Sequence, residues 1–354
     1  MSKVHNFSAG PCILPKEVLT KASEAVINFN NLDLSLIEIS HRSKDFVEVM
    51  DWATSLVKEL LNVPEGYSVI FLQGGASTQF LMVAYNLLTE NGTGAYLNTG
   101  TWASKAIKEA EILGTVKVLA SSEDKNFNYI PKGYSIPLDA DYLHITSNNT
   151  IFGTQVKEFP ECPVTLVCDM SSDIFSRKIN VSDFGLIYAG AQKNMGPAGA
   201  TMVIIKDEIL GKVGRAIPSM LNYQIHIKKE SMYNTPPVFA VYVSMLTLEW
   251  LKDVGGVEAI QKVNNAKAEL IYGEIDRNPL FRGIVAEEDR STMNATFVLE
   301  DESMNDAFNQ ALSDARINGL KGHRSVGGFR ASMYNALPLE SVQVLVDVMS
   351  NFRQ

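Results

Sequence analysis

Short apolar runs alternate with segments of helical periodicity through residues 16–235. The runs typical of buried strands lie at 67–72, 95–97, 116–120, 142–146, 164–168, 186–188 and 201–205. Apolar residues spaced as on one face of a helix occupy 78–88 and 103–113. This alternation predicts an α/β fold with a mostly parallel sheet and helices on both of its faces. In such sheets, ligands bind beyond the carboxyl ends of the strands.

A second, smaller region follows Pro236 and Pro237. It begins with a predicted helix at 238–252, which two glycines interrupt and which resumes at 257–275. This is followed by a strand at 292–299, a helix at 303–317, a glycine-rich segment at 319–334 and a last helix from 339 onwards. We therefore predict a large domain at 16–260 and a small α/β domain built from 1–15 and 261–354.

The composition narrows the classes of partner. The 354 residues are 46% hydrophobic and 20% charged, with a formal net charge of −9. An acidic chain without basic patches argues against a nucleic acid or a membrane surface as partner. No apolar run approaches the roughly 18 residues of a membrane span, and the N-terminus lacks the apolar region of a signal peptide. Cys12, Cys162 and Cys168 form no CxxC pair, so we expect a reducing, cytoplasmic location and no metal site.

One lysine stands at a position where its burial is costly. Lys193 lies in a glycine-rich turn between the apolar runs 186–188 and 201–205. A desolvated lysine suits Schiff-base formation with an aldehyde, and pyridoxal phosphate is the cofactor that uses it. That cofactor needs an acid beside its ring nitrogen, and Asp169 follows the run 164–168. The alternative is a surface hairpin lysine beside an aspartate that merely ends a strand.

Two further features fit a flat, phosphorylated cofactor. The segment 74–78, Gly-Gly-Ala-Ser-Thr, joins a strand to a helix, where free amides and the hydroxyls of Ser77 and Thr78 can bind phosphate. Trp102 begins the next helix and could stack on a flat ring. The alternatives are an ordinary helix N-cap and a core tryptophan.

Two His-Arg clusters occur in this acidic chain. His41-Arg42 is one, and His323-Arg324 with Arg330 is the other. Arginine binds carboxylate and phosphate oxygens bidentately, so three arginines suggest a substrate with two or more anionic groups. Surface salt bridging is the alternative.

The motifs together resemble the phosphoserine aminotransferase family, nearly end to end and in the same order. The segments that carry the resemblance are NFSAGP at 6–11, ISHRS at 39–43, GGAS at 74–77, GAQKNMGPAG at 190–199, NTPP at 234–237 and KGHRSVGGFRASMYN at 321–335. One departure is Ser77-Thr78, where some bacterial members have Arg-Gly. The family comprises fold-type I, class V pyridoxal-phosphate enzymes, homodimers with active sites at the subunit interface. The resemblance therefore implies a large domain with a mostly parallel sheet and a smaller C-terminal α/β domain.

The resemblance also implies roles for the cofactor site. Lys193 would form the Schiff base and then move the proton, while Asp169 would keep the pyridinium nitrogen protonated. Trp102 would stack on the ring, and Thr150 would lie on its phenolic oxygen side. The remaining implied contacts are to the cofactor phosphate, from Ala76, Ser77 and Gln192, and from Asn234 and Thr235 of the other subunit.

For the substrate, the resemblance implies that Arg330 binds the carboxylate. The phosphate pocket would comprise His41, Arg42, His323 and Arg324. The implied reaction is a ping-pong transamination in L-serine biosynthesis, between 3-phosphohydroxypyruvate and L-glutamate on one side and O-phospho-L-serine and 2-oxoglutarate on the other. Some bacterial members also act on 4-phosphohydroxy-L-threonine in pyridoxine biosynthesis.

Three other functions are weighed against this one. A cysteine desulfurase needs a nucleophilic cysteine in its C-terminal half, but no cysteine follows Cys168. An alanine–glyoxylate aminotransferase has no use for the extra His-Arg clusters. A non-catalytic phosphate-binding or scaffold protein would not need both Lys193 and Asp169.

Overall fold

A computed structural model describes residues 3–353 of the chain. Its helices are α1 Lys16–Ile27, α2 Lys44–Leu61, α3 Gly75–Leu87, α4 Thr101–Glu111, α5 Tyr223–Lys228, α6 Val238–Asp253, α7 Gly256–Arg277, α8 Asn305–Asp314 and α9 Leu339–Asn351. Its strands are β1 His5–Asn6, β2 Tyr67–Leu72, β3 Thr93–Asn98, β4 Thr115–Ser121, β5 Tyr142–Thr146, β6 Asn148–Asn149, β7 Thr154–Gln155, β8 Thr165–Asp169, β9 Leu186–Gly190, β10 Thr201–Lys206, β11 Phe281–Gly283, β12 Asn294–Leu299, β13 Ile317–Asn318 and β14 Phe329–Ser332.

The central sheet has the strand order β2-β10-β9-β8-β5-β3-β4. All neighbouring pairs are parallel except those of β10, which runs antiparallel to both β2 and β9. A short turn suffices between the antiparallel strands β9 and β10, and the lysine turn is that connection. The predicted mostly parallel sheet is confirmed.

Helices cover both faces of this sheet, as expected. The first face packs on α1, α2 and α6, in a core that includes Phe46, Leu56 and Leu248. The second face packs on α3 and α4 through Phe80 and Ile107. Strands buried on both faces explain why the strand runs are continuously apolar rather than alternating.

A third core lies in the C-terminal region and includes Phe7 from the N-terminal segment. β1 also pairs with β13, with His5 opposite Ile317. Both contacts support the grouping of 1–15 with 261–354 in one domain. Helix α7 packs Ile260 in the first core and Ile271 in the third, so it spans the predicted boundary. The division stays a prediction, and its residues 1, 2 and 354 lie outside the described range.

Several predicted helices differ from the observed ones at their ends; the helix predicted at 103–113, for example, spans Thr101–Glu111. The helix predicted at 78–88 begins already at Gly75, so Ala76 and Ser77 lie in its first turn rather than in the preceding loop. The helix predicted at 303–317 is α8, which ends at Asp314. Arg316 has a left-handed backbone with φ 57°, and such a residue cannot continue a right-handed helix. Among residues 3–353, no helix is long and apolar enough to cross a membrane.

Candidate active site

Lys193 lies in the connection between β9 and β10. Its amide donates to the carbonyl of Ala191 at 2.7 Å, and its Nζ donates to Thr150 Oγ1 at 2.7 Å. Burial lowers the pKa of this lysine to about 8, although the charge of Asp169 opposes the shift. A lowered pKa enlarges the fraction of neutral amine, the form that acts as nucleophile or base.

Asp169 ends β8, the strand next to β9 in the sheet, and lies opposite Tyr188. Its side chain is buried, and its Oδ1 accepts a hydrogen bond from the amide of Ser171 at 2.9 Å. Burial raises the pKa of the carboxyl, while the Ser171 hydrogen bonds and the charge of Lys193 oppose that shift. The two neighbouring strand ends therefore bring a buried acid and a partly desolvated amine to one edge of the sheet.

Thr150 connects Lys193 with Arg330. Its hydroxyl accepts from the lysine, and its carbonyl accepts from Arg330 Nη1 at 3.2 Å. Burial lowers the pKa of Arg330, and its Nε is buried without a hydrogen-bond partner among the described residues. An arginine with an unused buried donor beside the lysine is placed to receive an anionic group.

The N-terminus of α3 is open. Its N-cap is Gly74, with φ 92°, and no side chain caps the helix. A Cβ atom on Gly74 would lie 2.0 Å from Thr78 Oγ1, so only glycine fits there. The first-turn amides, among them those of Ala76 and Ser77, are therefore available to an anion.

Trp102 is the second residue of α4, directly beyond the end of β3. Its ring is half-buried, and its Nε1 is buried without a partner within residues 3–353. The ammonium of Lys105 lies 4.6 Å from the ring centroid. Buried indole N–H groups normally have an acceptor, so this donor is free for a bound group.

The second His-Arg cluster assembles around Arg330. Burial and then the charges of Arg330, Arg324 and Lys105 lower the pKa of His323. These cations therefore lie close enough to repel one another, as expected for an anion pocket. Ser325 Oγ lies 2.7 Å from His323 Nδ1.

The first His-Arg cluster precedes α2, whose N-cap is Ser43. Arg42 is exposed, and its side chain has no ion pair or hydrogen bond within the described chain. His41 Nε2 is buried and also has no partner there. Neither residue is among the charges that lower the pKa of His323.

Asn234 and Thr235 lie in the loop between α5 and α6. The carbonyl of Thr235 accepts from Gln73 Nε2 at 2.6 Å, and Asn234 lines a cavity of about 190 Å³ with Gly74 and Thr78. Within one chain, the pair therefore lies beside the segment that leads into α3.

The family model for class-V aminotransferases matches residues 4–345. The chain belongs to the class-V aminotransferase family. It is 66% identical to the phosphoserine aminotransferase of Flavobacterium psychrophilum, with 98% of each chain covered.

Solved structures agree with this membership. The phosphoserine aminotransferase from Bacillus circulans subsp. alkalophilus has a TM-score of 0.95 to this chain at 45% identity, over 98% of each. The pyridoxal-phosphate-bound phosphoserine aminotransferase from Trichomonas vaginalis has a TM-score of 0.94 at 38% identity, over 99% of this chain and 100% of that one.

The site of this class-V aminotransferase also contains a segment whose contacts sequence reasoning missed. We call residues 8–12 the N-terminal strap. The amide of Cys12 donates to the carbonyl of Gln192 at 3.1 Å, and its Sγ donates to the carbonyl of Lys193 at 2.7 Å. A Cβ atom on Gly10 would lie 3.4 Å from Lys193 Cγ, so the strap packs directly on the stem of the lysine. Burial raises the pKa of Cys12 to about 12, which keeps the thiol protonated and able to donate.

Lys105 is a second residue that sequence reasoning missed. It follows Trp102 by three residues, and this spacing places both on one side of α4. The helical period could have revealed that Lys105 lies beside Trp102. It could not have revealed that Lys105 lies near His323, because this depends on the tertiary fold.

Proposed function

We propose that this aminotransferase is a phosphoserine transaminase. It interconverts 3-phosphohydroxypyruvate and L-glutamate with O-phospho-L-serine and 2-oxoglutarate, in L-serine biosynthesis. The observation that carries the proposal is the pair of sites around Lys193: a buried acid and lysine on one side, and a cluster of cations around Arg330 on the other. Identity of 66% to a phosphoserine aminotransferase over 98% of the chain supports it.

The residues of the site fit pyridoxal 5'-phosphate. The open N-terminus of α3 offers amides to its phosphate, and the buried Nε1 of Trp102 has no acceptor among the described residues. We assign the contacts to this cofactor to residues of the predicted large domain, including the loop before α6, namely Ala76, Ser77, Trp102, Thr150, Asp169, Gln192, Lys193, Asn234 and Thr235. When bound, the cofactor supplies a sink for the electron pair of the substrate Cα–H bond.

Lys193 and Asp169 have separate tasks in this proposal. Lys193 Nζ would remove the proton from the substrate Cα and deliver it to C4′ of the bound cofactor, which suits an amine with a pKa of about 8. Asp169, which accepts from the amide of Ser171, would hold a proton on the ring nitrogen of the bound cofactor. Thr150 orients the amine through its hydroxyl.

The arginines and histidines of the site bind the anionic groups of the substrates. Arg330 binds the carboxylate on Cα, because it lies next to Thr150 and has an unused donor. The pocket for the substrate phosphate comprises His41, Arg42, His323 and Arg324. Glutamate places its side-chain carboxylate in the same pocket during the other half-reaction. 4-Phosphohydroxy-L-threonine has the same anionic groups and is the second substrate to test.

The active enzyme in this proposal is a homodimer with shared active sites. Arg42 has no partner within the described chain, although its cluster belongs to the phosphate pocket. Apolar side chains nearby are exposed, including Ile27 at 80% and Ile37 at 62%, as at a subunit interface. The cytoplasmic location stays a prediction, which the three free cysteines support.

A complementation experiment tests the shared site. One variant carries Lys193→Ala, and the other combines Asn234→Ala with Thr235→Ala. If each site takes its lysine from one chain and the Asn-Thr pair from the other, random exchange gives about a quarter of sites with all three native residues. Activity that does not return after confirmed subunit exchange would contradict the shared site.

A product assay tests the function itself. Purified holoenzyme is incubated with L-glutamate and 3-phosphohydroxypyruvate, and O-phosphoserine is measured by mass spectrometry. We expect stoichiometric O-phosphoserine and 2-oxoglutarate, and no product from the Lys193→Ala control. A wild-type enzyme that aminates pyruvate or glyoxylate but not the phosphorylated oxo acid would refute the assignment.

A further inference from the structure

A fully buried lysine that is not among the proposed site residues binds a turn of the C-terminal region. We call residues 333–337, which follow β14, the junction turn. Lys267 of α7 has no exposed surface, and its Nζ donates to the carbonyls of Met333 at 2.9 Å, Tyr334 at 2.9 Å and Leu337 at 3.2 Å. These three acceptors use every N–H donor of an ammonium group.

The charge of Lys267 has no carboxylate partner in the described part of the chain. Burial accordingly lowers the pKa of this lysine to about 7. A neutral amine has only two donors and would turn its lone pair toward a carbonyl, so the geometry fits the charged form. An apolar side chain at this position would fill the same space at a lower desolvation cost. The contribution of Lys267 is therefore its hydrogen bonds to the turn.

The junction turn also contacts the segments that enclose Lys193. The amide of Asn335 donates to Asn194 Oδ1 at 3.0 Å, directly beside the lysine. Tyr334 donates its hydroxyl to the carbonyl of Ala9 in the N-terminal strap at 2.8 Å. Asn264, one helical turn before Lys267 on α7, donates to Asn335 Oδ1 at 2.9 Å.

Arg330 lies on β14, three residues before the junction turn. Its Nη1 reaches the carbonyl of Thr150, whose hydroxyl accepts from Lys193. The junction turn is thus hydrogen-bonded to Asn194, the neighbour of Lys193. It also directly follows β14, the strand that contains Arg330. A shift of the turn would change the distance between Arg330 and Lys193.

We propose that Lys267, together with Asn264, is a positioning residue that fixes the junction turn and thereby the spacing of Arg330 from Lys193. This inference rests on the proposed function for its substrates. Both amino-acid substrates use Arg330 for their carboxylate, so looser spacing weakens both alike. The preference for phosphoserine over serine depends on the other cations and stays as in the wild type.

The decisive variants lie on one helix. Lys267→Met keeps the length and apolar stem but removes three hydrogen bonds to backbone carbonyls, of which, within residues 3–353, only that of Tyr334 also accepts from another donor, the amide of Leu337. Lys267→Arg restores donors to these carbonyls. Lys262→Met is the matched control, because Lys262 is an exposed lysine of the same helix. Glutamate affinity is measured on each holoenzyme from the change in cofactor absorbance. This readout does not depend on phosphoserine, so it remains valid even if the proposed substrate is wrong.

For Lys267→Met we expect glutamate and phosphoserine KM to rise about tenfold or more, with a smaller change in kcat, since small displacements of binding groups are costly. Lys267→Arg should recover part of the loss, and Lys262→Met should behave as the wild type. A purely structural role would lower Tm and leave both KM values of the folded enzyme unchanged, which would overturn the inference.

A milder pair keeps the test valid if Lys267→Met does not fold. Asn264→Ala removes one hydrogen bond to the junction turn, and Asn265→Ala changes the exposed neighbour on the same helix. We expect about a threefold rise in both KM values for the first, in line with one neutral hydrogen bond, and none for the second. Equal KM values in the two variants would overturn the inference.

Discussion

The lysine site and the anion pocket of this enzyme are built in different ways. Lys193, Asp169 and Thr150 lie at ends of neighbouring strands or in the loops after them, and hydrogen bonds within one chain fix each of them. The His-Arg clusters lie in loops far apart in the sequence, and Arg42 has no partner within residues 3–353. In the proposed function, strand ends and the loops after them thus hold the groups of the chemistry, whereas loops hold most of the groups that select the substrate.

This contrast has a functional consequence. A change in the lysine site should affect every substrate to the same extent, because all of them undergo the same proton transfer. A change in the anion pocket should affect substrates according to their charge. The predictions below use this difference, and the largest expected effect comes first.

Lys193→Ala should reduce turnover of all substrates by several orders of magnitude, because it removes both the covalent attachment and the base. The variant should still bind some cofactor. Borohydride treatment of the wild type should leave a pyridoxyl group on Lys193, found by peptide mapping. Modification of another lysine would show that the site is misassigned.

Asp169→Asn should keep the fold and lose about 100-fold or more in kcat, because an amide cannot hold a proton on the ring nitrogen. The loss should be equal for glutamate and phosphoserine. Steady-state kinetics with both substrates and a thermal melt check this expectation. Turnover like that of the wild type would mean that Asp169 only ends its strand.

Arg324→Ala and Arg42→Ala should each weaken phosphoserine more than glutamate. Loss of one charge-assisted contact costs roughly 1.5–3 kcal/mol, or about 10- to 150-fold in kcat/KM. Arg330→Ala is the comparison variant, since it should impair both substrates alike. An equal loss for both substrates in the Arg324 and Arg42 variants would place these residues outside the phosphate pocket.

The rate of cofactor binding to the apoenzyme should depend on pH. The pKa of Lys193 is lowered to about 8, so the neutral, nucleophilic amine becomes scarcer as the pH falls below that value. The rate at which visible absorbance develops should rise about tenfold per pH unit up to pH 8 and then level off. A rate that still increases between pH 9 and 10 would indicate an unshifted lysine.

The sequence alone places Asp169 and Lys193 at neighbouring strand ends, and the structure shows them there, because the signals are local. The apolar runs before Asp169 and before Lys193 are continuous, and strands with such runs lie inside a parallel sheet. The N-terminal strap could not be predicted this way, since Cys12 contacts a residue 181 positions away. The three backbone carbonyls that accept from Lys267 could not be predicted either. In the sequence, Lys267 resembles any other helical lysine, and only the tertiary fold shows its partners.

The composition of the anion pocket stays a prediction, and the sequence carries little signal for how its residues assemble. His323, Arg324 and Arg330 lie close together because they share one loop and the strand after it. The sequence gives no signal for the addition of Lys105 from α4. In the proposed homodimer, the relation of His41 to this cluster depends on a subunit interface, which no pattern within one chain encodes.

The selectivity for the phosphate group tests the account most directly. We would measure kcat/KM for O-phosphoserine and for serine with the wild type and with Arg324→Ala, at fixed ionic strength. The account predicts strong preference for phosphoserine in the wild type and a preference about 10- to 150-fold smaller in the variant, as one charge-assisted contact is lost. A wild type that uses serine as well as phosphoserine would contradict the phosphate pocket and reduce the assignment to the class-V family.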